Sequence, residues 1–202
     1  MATVALFSTA YFPPVQYFKK LKNYSEILIE HHEHFEKQTY RNRCTIYGAN
    51  GKLNLTIPLN YWKDKTKTKD ITICNDENWQ QLHRKSIESA YRKSPYFEFY
   101  EDEFAAFFSK NKFKFLIELN EAVLNKITAL LKMNPEINFT SEYKKEYKNT
   151  HDFRTIISPK KKSQGKDFIP YQQTFENKHG FIPNLSILDL IFNQGPRAID
   201  YF

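Results

Sequence analysis

An Asn-Gly pair between two alternating segments is the feature that most limits how this chain can fold. Asn50-Gly51 separates the segment 44–47 (CTIY) from the segment 53–57 (LNLTI), and apolar and polar residues alternate in both. Because Asn and Gly tolerate the backbone conformations of tight hairpin turns, this pair is the strongest short hairpin signal that a sequence carries. The sequence therefore predicts an antiparallel β-hairpin at this position.

A long amphipathic segment follows, from Trp79 to Phe97 (WQQLHRKSIESAYRKSPYF). Residues 79, 83, 87 and 91 are spaced four positions apart, so in a helix they lie on one semi-apolar face. The helix is expected to end before Pro95, because a residue that precedes proline is disfavoured in helical conformation. Trp79, His83 and Tyr91 bring polar tips into this face, and each tip needs a partner there. The face is either a satisfied core layer or the floor of a pocket.

The start of the chain predicts a strand, a polar loop and a helix in close succession. The apolar run 3–7 (TVALF) indicates a buried strand, and a helix is expected to begin near Pro14, a residue suited to the first helical position. Residues 27–29 (ILI) indicate a second strand. Such a corner binds ligands in many α/β folds, although many other proteins have it without using it.

The remaining patterns are mainly helical, over residues 96–108 and 113–133. We therefore expect an α/β fold of the mixed α+β kind, with one mixed sheet built from the N-terminal third and packed by helices, and a helical C-terminal part. Residues 1–74 should be mainly strands and residues 75–202 mainly helices. A length of 202 residues fits a single domain that spans the whole chain.

The charge of the chain favours an anionic partner. A net charge of +7 suits a phosphorylated small molecule, nucleic acid or an acidic membrane surface. The two cysteines form no disulfide framework. The first residues lack a basic signal-peptide region, and no window approaches the roughly 18 apolar residues of a membrane span. We expect a cytoplasmic protein without membrane insertion, and the oligomeric state stays open.

The cluster 30–34 (EHHEH) is either a binding site for a divalent cation or a solvated strand end. Imidazoles and carboxylates are zinc ligands, but adjacent histidines rarely share one ion, so no metal site is predicted. The five glycines form neither a P-loop nor a dinucleotide fingerprint. A nucleophile elbow and a zinc-protease helix are also absent from the sequence. No cofactor is predicted.

Two lysine-rich loops lie at 61–69 (YWKDKTKTK) and 158–166 (SPKKKSQGK). The second loop could contact phosphate or nucleic acid, but a solvated connection explains its composition more simply. Nucleic-acid binding is not predicted, because lysines and aromatic residues do not interleave on one expected face.

Five segments, taken together and in order, resemble one known family. They are 8–18 (STAYFPPVQYF), 37–46 (KQTYRNRCTI), 50–58 (NGKLNLTIP), 79–97, and 175–195 with its HGF and NLSILDLIFNQG motifs. The set is similar to the WbqC-like family, which implies a role in making bacterial surface polysaccharide such as O-antigen. Phe7-Ser8-Thr9 stands where the family usually has a His-Gln-Pro-type sequence. This departure is typical of a Bacteroidetes-type subgroup, and no role of those family residues transfers here.

The candidate substrate contacts follow from the resemblance and from side-chain chemistry. Arg41 and Arg43 would bind phosphate through their guanidinium forks, although a pair of surface arginines that form ion pairs explains them more simply. Tyr11 and Tyr40 would contact a sugar. The other candidates for substrate binding are Tyr91, Asp189 and Asn193.

The candidate catalytic residues are His83, His179 and Cys44. A histidine suits proton transfer because its unperturbed pKa lies near neutrality, but His83 also reads as a hydrogen-bonded core residue. Cys44 is a nucleophile only if it is exposed beside a histidine, and is otherwise a small core residue. Asp189 has a structural alternative, since Ser186 three positions earlier suggests a helix-capping box.

Two hypotheses about function remain open at this point. One is an enzyme or accessory protein that acts on a nucleotide-linked or amino sugar, with an acyl or aminoacyl transferase as one candidate. The other is a non-catalytic binding or assembly module, for which the aromatic stretch 96–108 is the candidate contact surface, although core packing explains that stretch more simply. For the first, we expect Arg41, Arg43, His179 and the Trp79 helix to surround one hollow beside the opening turn.

Overall fold

The structure is a computed structural model that describes residues 4–161 and 167–202. Residues 162–166, in the second lysine-rich loop, lie outside the described residues. In chain order the strands and helices are β1 (Val4–Ser8), α1 (Val15–Leu21), β2 (Glu26–Glu30), β3 (Arg43–Gly48), β4 (Gly51–Thr56), α2 (Trp79–Tyr91), α3 (Phe97–Ala105), α4 (Leu116–Leu130), β5 (Glu136–Phe139), β6 (Thr150–Asp152), α5 (Glu176–His179) and α6 (Ile187–Gln194).

Four parallel strands form the main sheet, in the order β5-β2-β1-β6. The sequence of its central strand β1 is almost entirely apolar, as expected of a strand whose sheet is covered on both faces. Ala5, Leu6 and Phe7 of β1 are fully buried. The strand order runs from β1 through β2 to β5 and then resumes on the other side of β1 with β6. This reversal creates a topological switch point at the carboxyl ends of β1 and β6, where open α/β sheets commonly bind ligands.

The predicted hairpin is confirmed. Strands β3 and β4 pair antiparallel, with Gly48 opposite Gly51, so Ala49 and Asn50 occupy the turn. Gly51 has φ +95°, a conformation that a residue with a Cβ adopts only with strain. The hairpin forms its own two-stranded sheet and lies beside α2.

The mixed α/β class is confirmed, but the sheets are assembled differently from the expectation. The hairpin does not join the main sheet, and the main sheet takes β5 and β6 from residues 136–152 rather than from the N-terminal third. These two strands are four and three residues long, too short for an alternating pattern to show. Their pairing with β2 and β1 is therefore visible only in the fold.

The semi-apolar face of α2 is a core layer. Trp79, His83, Ile87 and Tyr91 are all buried, and the helix ends at Tyr91, before Pro95 as predicted. The Tyr47 amide donates to the Tyr91 hydroxyl at 3.1 Å. The Tyr91 ring contacts the Phe192 ring of α6, with centroids 5.2 Å apart. Helix α2 therefore joins the hairpin to α6, and its other faces are free to line a cavity.

Helices α1 and α4 also follow the sequence pattern, with α1 beginning at Val15 directly after Pro14. Within the described ranges, no helix combines the length and the apolar character that crossing a membrane requires.

Candidate functional site

A large cleft lies between α2, the β3–β4 turn and residues 172–177. Its volume is ≈ 1170 Å³, slightly above the range of about 300–1,000 Å³ that is usual for small-molecule sites. Small side chains line the α2 side, among them Ser89, Ala90 and Ser94. They leave room for a ligand to approach the helix closely.

Positive side chains from α2 and the residues that follow it line one side of the cleft. Lys85, Arg92 and Lys93 all contribute. Arg92 forms an ion pair with Glu88, whereas neither lysine has an ion-pair partner among the residues that the structure describes. The two lysines therefore keep their charge available to an anionic ligand.

The opposite side of the cleft is lined by amides and a hydroxyl. Gln172, Gln173, Thr174 and Asn177 come from one segment, and Asn193 comes from α6. The Asn193 amide donates to the Asp189 carbonyl at 2.8 Å, and its Oδ1 accepts from the Thr174 hydroxyl at 3.4 Å. Side-chain amides supply both donors and acceptors, the chemistry that a ligand with many hydroxyl groups needs.

The hairpin fixes one end of this amide-bearing segment, which we call the wall segment (residues 171–182). The Tyr47 hydroxyl donates to the Gly180 carbonyl at 2.7 Å, and the Lys178 ammonium donates to the Ala49 carbonyl at 3.0 Å. His179 is exposed, and its Nε2 lies 2.9 Å from the same Ala49 oxygen. Since a carbonyl only accepts, Nε2 carries the proton, and in the neutral ring Nδ1 is left as the proton acceptor.

Asp189 fixes the other end of the wall segment. Its side chain is fully buried, and Oδ2 accepts from the Tyr171 hydroxyl at 2.7 Å and from the Gln173 amide at 2.8 Å. Its Oδ1 has no hydrogen-bond partner among the described residues. Burial raises the pKa of Asp189 to about 6, against hydrogen bonding by Tyr171, Gln173 and Tyr91, which lowers it.

The expected capping box at α6 forms only in part. The Ser186 hydroxyl accepts from the Leu188 amide at 3.3 Å, as an N-cap residue should. The Asp189 carboxylate does not return to the Ser186 amide, because it is taken up by Tyr171 and Gln173. Asp189 therefore lies behind the cleft wall, and it is not among the residues that line the cleft.

A second polar cluster occupies the carboxyl ends of β1, β2 and β6, at the switch point. Arg41 donates from Nε to Glu33 Oε1 at 2.9 Å and from Nη2 to the Ser8 hydroxyl at 3.1 Å. Arg154 donates from Nη1 to Glu30 Oε2 at 2.9 Å. The cavity here has a volume of only ≈ 20 Å³, about the space of one water molecule. The cluster is thus filled by its own ion pairs, and Tyr40 lines it.

From the sequence, a solvated strand end was one explanation of residues 30–34. In the structure, however, the end of β2 is buried. Glu30 is fully buried on Arg154, and His31 is 8% exposed. His31 Nε2 lies 3.1 Å from Glu121 Oε1, and burial lowers the pKa of His31 to about 4. In the described part of the chain, no group of three or more His, Cys, Asp or Glu side chains is arranged to hold a metal ion.

Besides Asp189, four predicted site residues lie in the core instead of lining the cleft. Tyr11 is fully buried, and its hydroxyl lies 3.0 Å from His83 Nδ1. Burial lowers the pKa of His83 to about 4. Cys44 is 1% exposed, and burial raises the pKa of its thiol, so it does not meet the condition set for a nucleophile. Tyr91 is buried and accepts from the hairpin backbone.

The candidate residues do not surround one hollow. Arg41 and Tyr40 line the small cavity at the switch point, while Asn193 lines the large cleft and His179 contacts its hairpin edge. Arg43 begins β3, and its Nε is buried without a hydrogen-bond partner in the described chain.

The sequence interpretation missed the residues that give the cleft its chemistry. They are Lys85, Lys93, Gln172 and Asn177; Gln173 also lines the cleft, but its amide is taken up by Asp189 and Ile182. Two signals were present: positions 85, 89 and 93 share a helical face at four-residue spacing, and Gln-Gln-Thr is a continuous polar run. Neither signal separates a cleft from a solvated surface.

Comparison with known proteins gives one family and one curated relative. The family model described as the WbqC-like protein family matches residues 9–170 and 161–201. The chain is also similar to the uncharacterized protein Rv1507c of Mycobacterium tuberculosis, with 23% identity over 225 residues, covering 100% of this chain and 97% of the relative. No solved structure matches the chain significantly.

Proposed function

Because the chain belongs to the WbqC-like protein family, we propose that it acts in the synthesis of bacterial surface polysaccharide and binds an anionic sugar ligand in the cleft. A sugar nucleotide is the ligand class that we favour. The observation that supports this choice is one large cavity with amides on one side and, on the other, two lysines that have no ion-pair partner among the described residues.

The charge of the cleft supports an anionic ligand. Three cationic side chains line it against two carboxylates, those of Glu88 and Glu176. Since Arg92 is paired with Glu88, the remaining charges that line the cleft are two positive ones, Lys85 and Lys93, and one negative one, Glu176. The Glu176 carboxylate accepts from the Gln173 backbone amide at 3.2 Å, so part of its charge is taken up within the wall segment. A phosphate between the two lysines would gain charge-assisted hydrogen bonds.

The amide side supports a sugar next to that phosphate. Gln172, Asn177 and Asn193 offer donors and acceptors that match hydroxyl groups. We propose a transferase reaction, of the acyl or aminoacyl type, on a nucleotide-linked or amino sugar. His179 is our candidate proton-transfer group: it does not itself line the cleft, but its Nε2 contacts the carbonyl of Ala49, which does, and its Nδ1 can accept a proton when the ring is neutral.

A non-catalytic assembly module is the second candidate function. It is favoured by Phe99 of α3, which is 76% exposed within the aromatic stretch 96–108. Three other phenylalanines of that stretch, Phe97, Phe104 and Phe107, are buried, so the stretch serves mainly as core.

Genetic complementation tests the proposed role. We expect deletion of the gene to remove or shorten the surface polysaccharide of the source bacterium, and wild-type protein to restore it. The Lys85→Ala/Lys93→Ala variant should accumulate normally yet fail to restore the polysaccharide. The matched control, Lys110→Ala/Lys148→Ala, removes two exposed lysines outside the cleft and should restore it. Unchanged polysaccharide after deletion would refute the role, and full restoration by the cleft variant would refute the site.

A further inference from the structure

We infer that Asp189 is a positioning residue that holds the wall segment in the shape that lines the cleft. The inference rests on the proposed function for its significance, but not for its geometry. Asp189 is fully buried and does not line the cleft; besides the wall segment, its carboxylate also neighbours Tyr91 of α2. Its Oδ2 accepts two hydrogen bonds, and both donors belong to the wall segment.

Gln173 transmits this constraint to the cleft. Its Nε2 donates both to Asp189 Oδ2 at 2.8 Å and to the Ile182 carbonyl at 2.9 Å. Its Oε1 accepts from the Ile182 amide at 2.8 Å. One side chain therefore connects the two ends of residues 173–182 and ties both to α6. The same Gln173 lines the cleft, so its orientation decides part of the binding surface.

Tyr171 provides the second attachment. Its hydroxyl donates to Asp189 at 2.7 Å, and its ring meets that of Phe181 with centroids 5.4 Å apart. At the hairpin end, the Tyr47 hydroxyl donates to the Gly180 carbonyl of the wall segment, and His179 of the wall segment contacts the Ala49 carbonyl of the hairpin. If the segment moved away from Asp189, the buried Tyr171 and Gln173 donors would each lose a hydrogen bond, which costs free energy of folding. A buried acceptor therefore restricts the segment far more than a solvated contact would.

Two substitutions that keep the number and branching of the side-chain heavy atoms test the inference. Asp189→Asn keeps a carbonyl oxygen that accepts from Tyr171 and Gln173, whereas Asp189→Leu removes the acceptor. Amide hydrogen exchange, measured on the full chain without ligand, should be about tenfold faster across residues 171–182 in the leucine variant. The asparagine variant should exchange nearly as the wild type does. Helix α4 should be unchanged in both, which distinguishes a local release from general destabilisation.

Binding supplies the second readout. With UDP-N-acetylglucosamine as the probe, we expect the leucine variant to bind about tenfold more weakly, and the asparagine variant within about threefold of wild type. Equal exchange in all three proteins would overturn the inference, as would faster exchange of α4 to the same degree. If wild type does not bind the probe, the proposed ligand is called into question, while the exchange data still decide the role of Asp189.

Discussion

Replacing Arg154 with methionine is expected to destabilise the protein by about 3–5 kcal/mol, because it leaves the buried Glu30 charge without its cationic partner. Among the described residues, only the His32 amide and the Thr140 hydroxyl still donate to that carboxylate. Glu30 is fully buried, and Arg154 is 8% exposed. Arg154 also donates to the Lys144 and Lys145 carbonyls at 3.0 and 3.1 Å, so it ties the segment before β6 to the end of β2. Urea unfolding at neutral pH measures the loss.

Two variants separate this explanation from a general effect of losing an arginine. Arg92→Met removes an exposed guanidinium that is paired with Glu88, and it should cost less than about 1 kcal/mol. Glu30→Met combined with Arg154→Met removes both charges and should recover part of the stability. A loss below about 1 kcal/mol for Arg154→Met would show that the ion pair at the switch point does not hold the sheet edge together.

The stability contributed by Asp189 is expected to fall as pH rises. Burial raises the pKa of Asp189 from 3.8 to about 6, so the folded protein holds this proton more tightly than the unfolded chain does. The contribution is fully present below about pH 4 and is lost as pH passes through about 6. Linkage predicts that wild type loses about 2 kcal/mol relative to Asp189→Asn between about pH 4.5 and about pH 7.5.

Denaturant unfolding of both proteins across this range measures the difference. The subtraction matters, because other buried groups titrate as well: burial also raises the pKa of Glu33 and lowers that of His31. Both groups are common to the two proteins and cancel. A constant difference between wild type and Asp189→Asn would mean that Asp189 does not titrate in this range.

Local signals in the sequence predicted the local structure of this chain. The Asn50-Gly51 hairpin, the start of α1 after Pro14 and the end of α2 before Pro95 all depend on a few neighbouring residues. Strands β5 and β6 carry no such signal at four and three residues, and only pairing with β2 and β1 makes them strands. This is why the composition of the main sheet differed from the expectation.

The site was harder to predict because distant segments build it. Ala49, Lys85, Gln173 and Asn193 meet at the cleft only through the packing of α2 against the hairpin and α6. Asp189 shows how a local signal can mislead. Its spacing from Ser186 indicates a helix cap, yet Tyr171 and Gln173 offer a buried carboxylate two donors, and these tertiary contacts prevail.

Calorimetric titration with UDP-, dTDP-, GDP- and CMP-linked sugars tests most directly whether the cleft between α2 and the wall segment is the ligand site. We predict that at least one of them binds the wild type with a dissociation constant below about 1 mM. Lys85→Ala/Lys93→Ala should weaken that binding about tenfold or more, while Lys110→Ala/Lys148→Ala leaves it unchanged. Binding of none of these ligands, or equal binding by the two lysine variants, would contradict the assignment of the cleft.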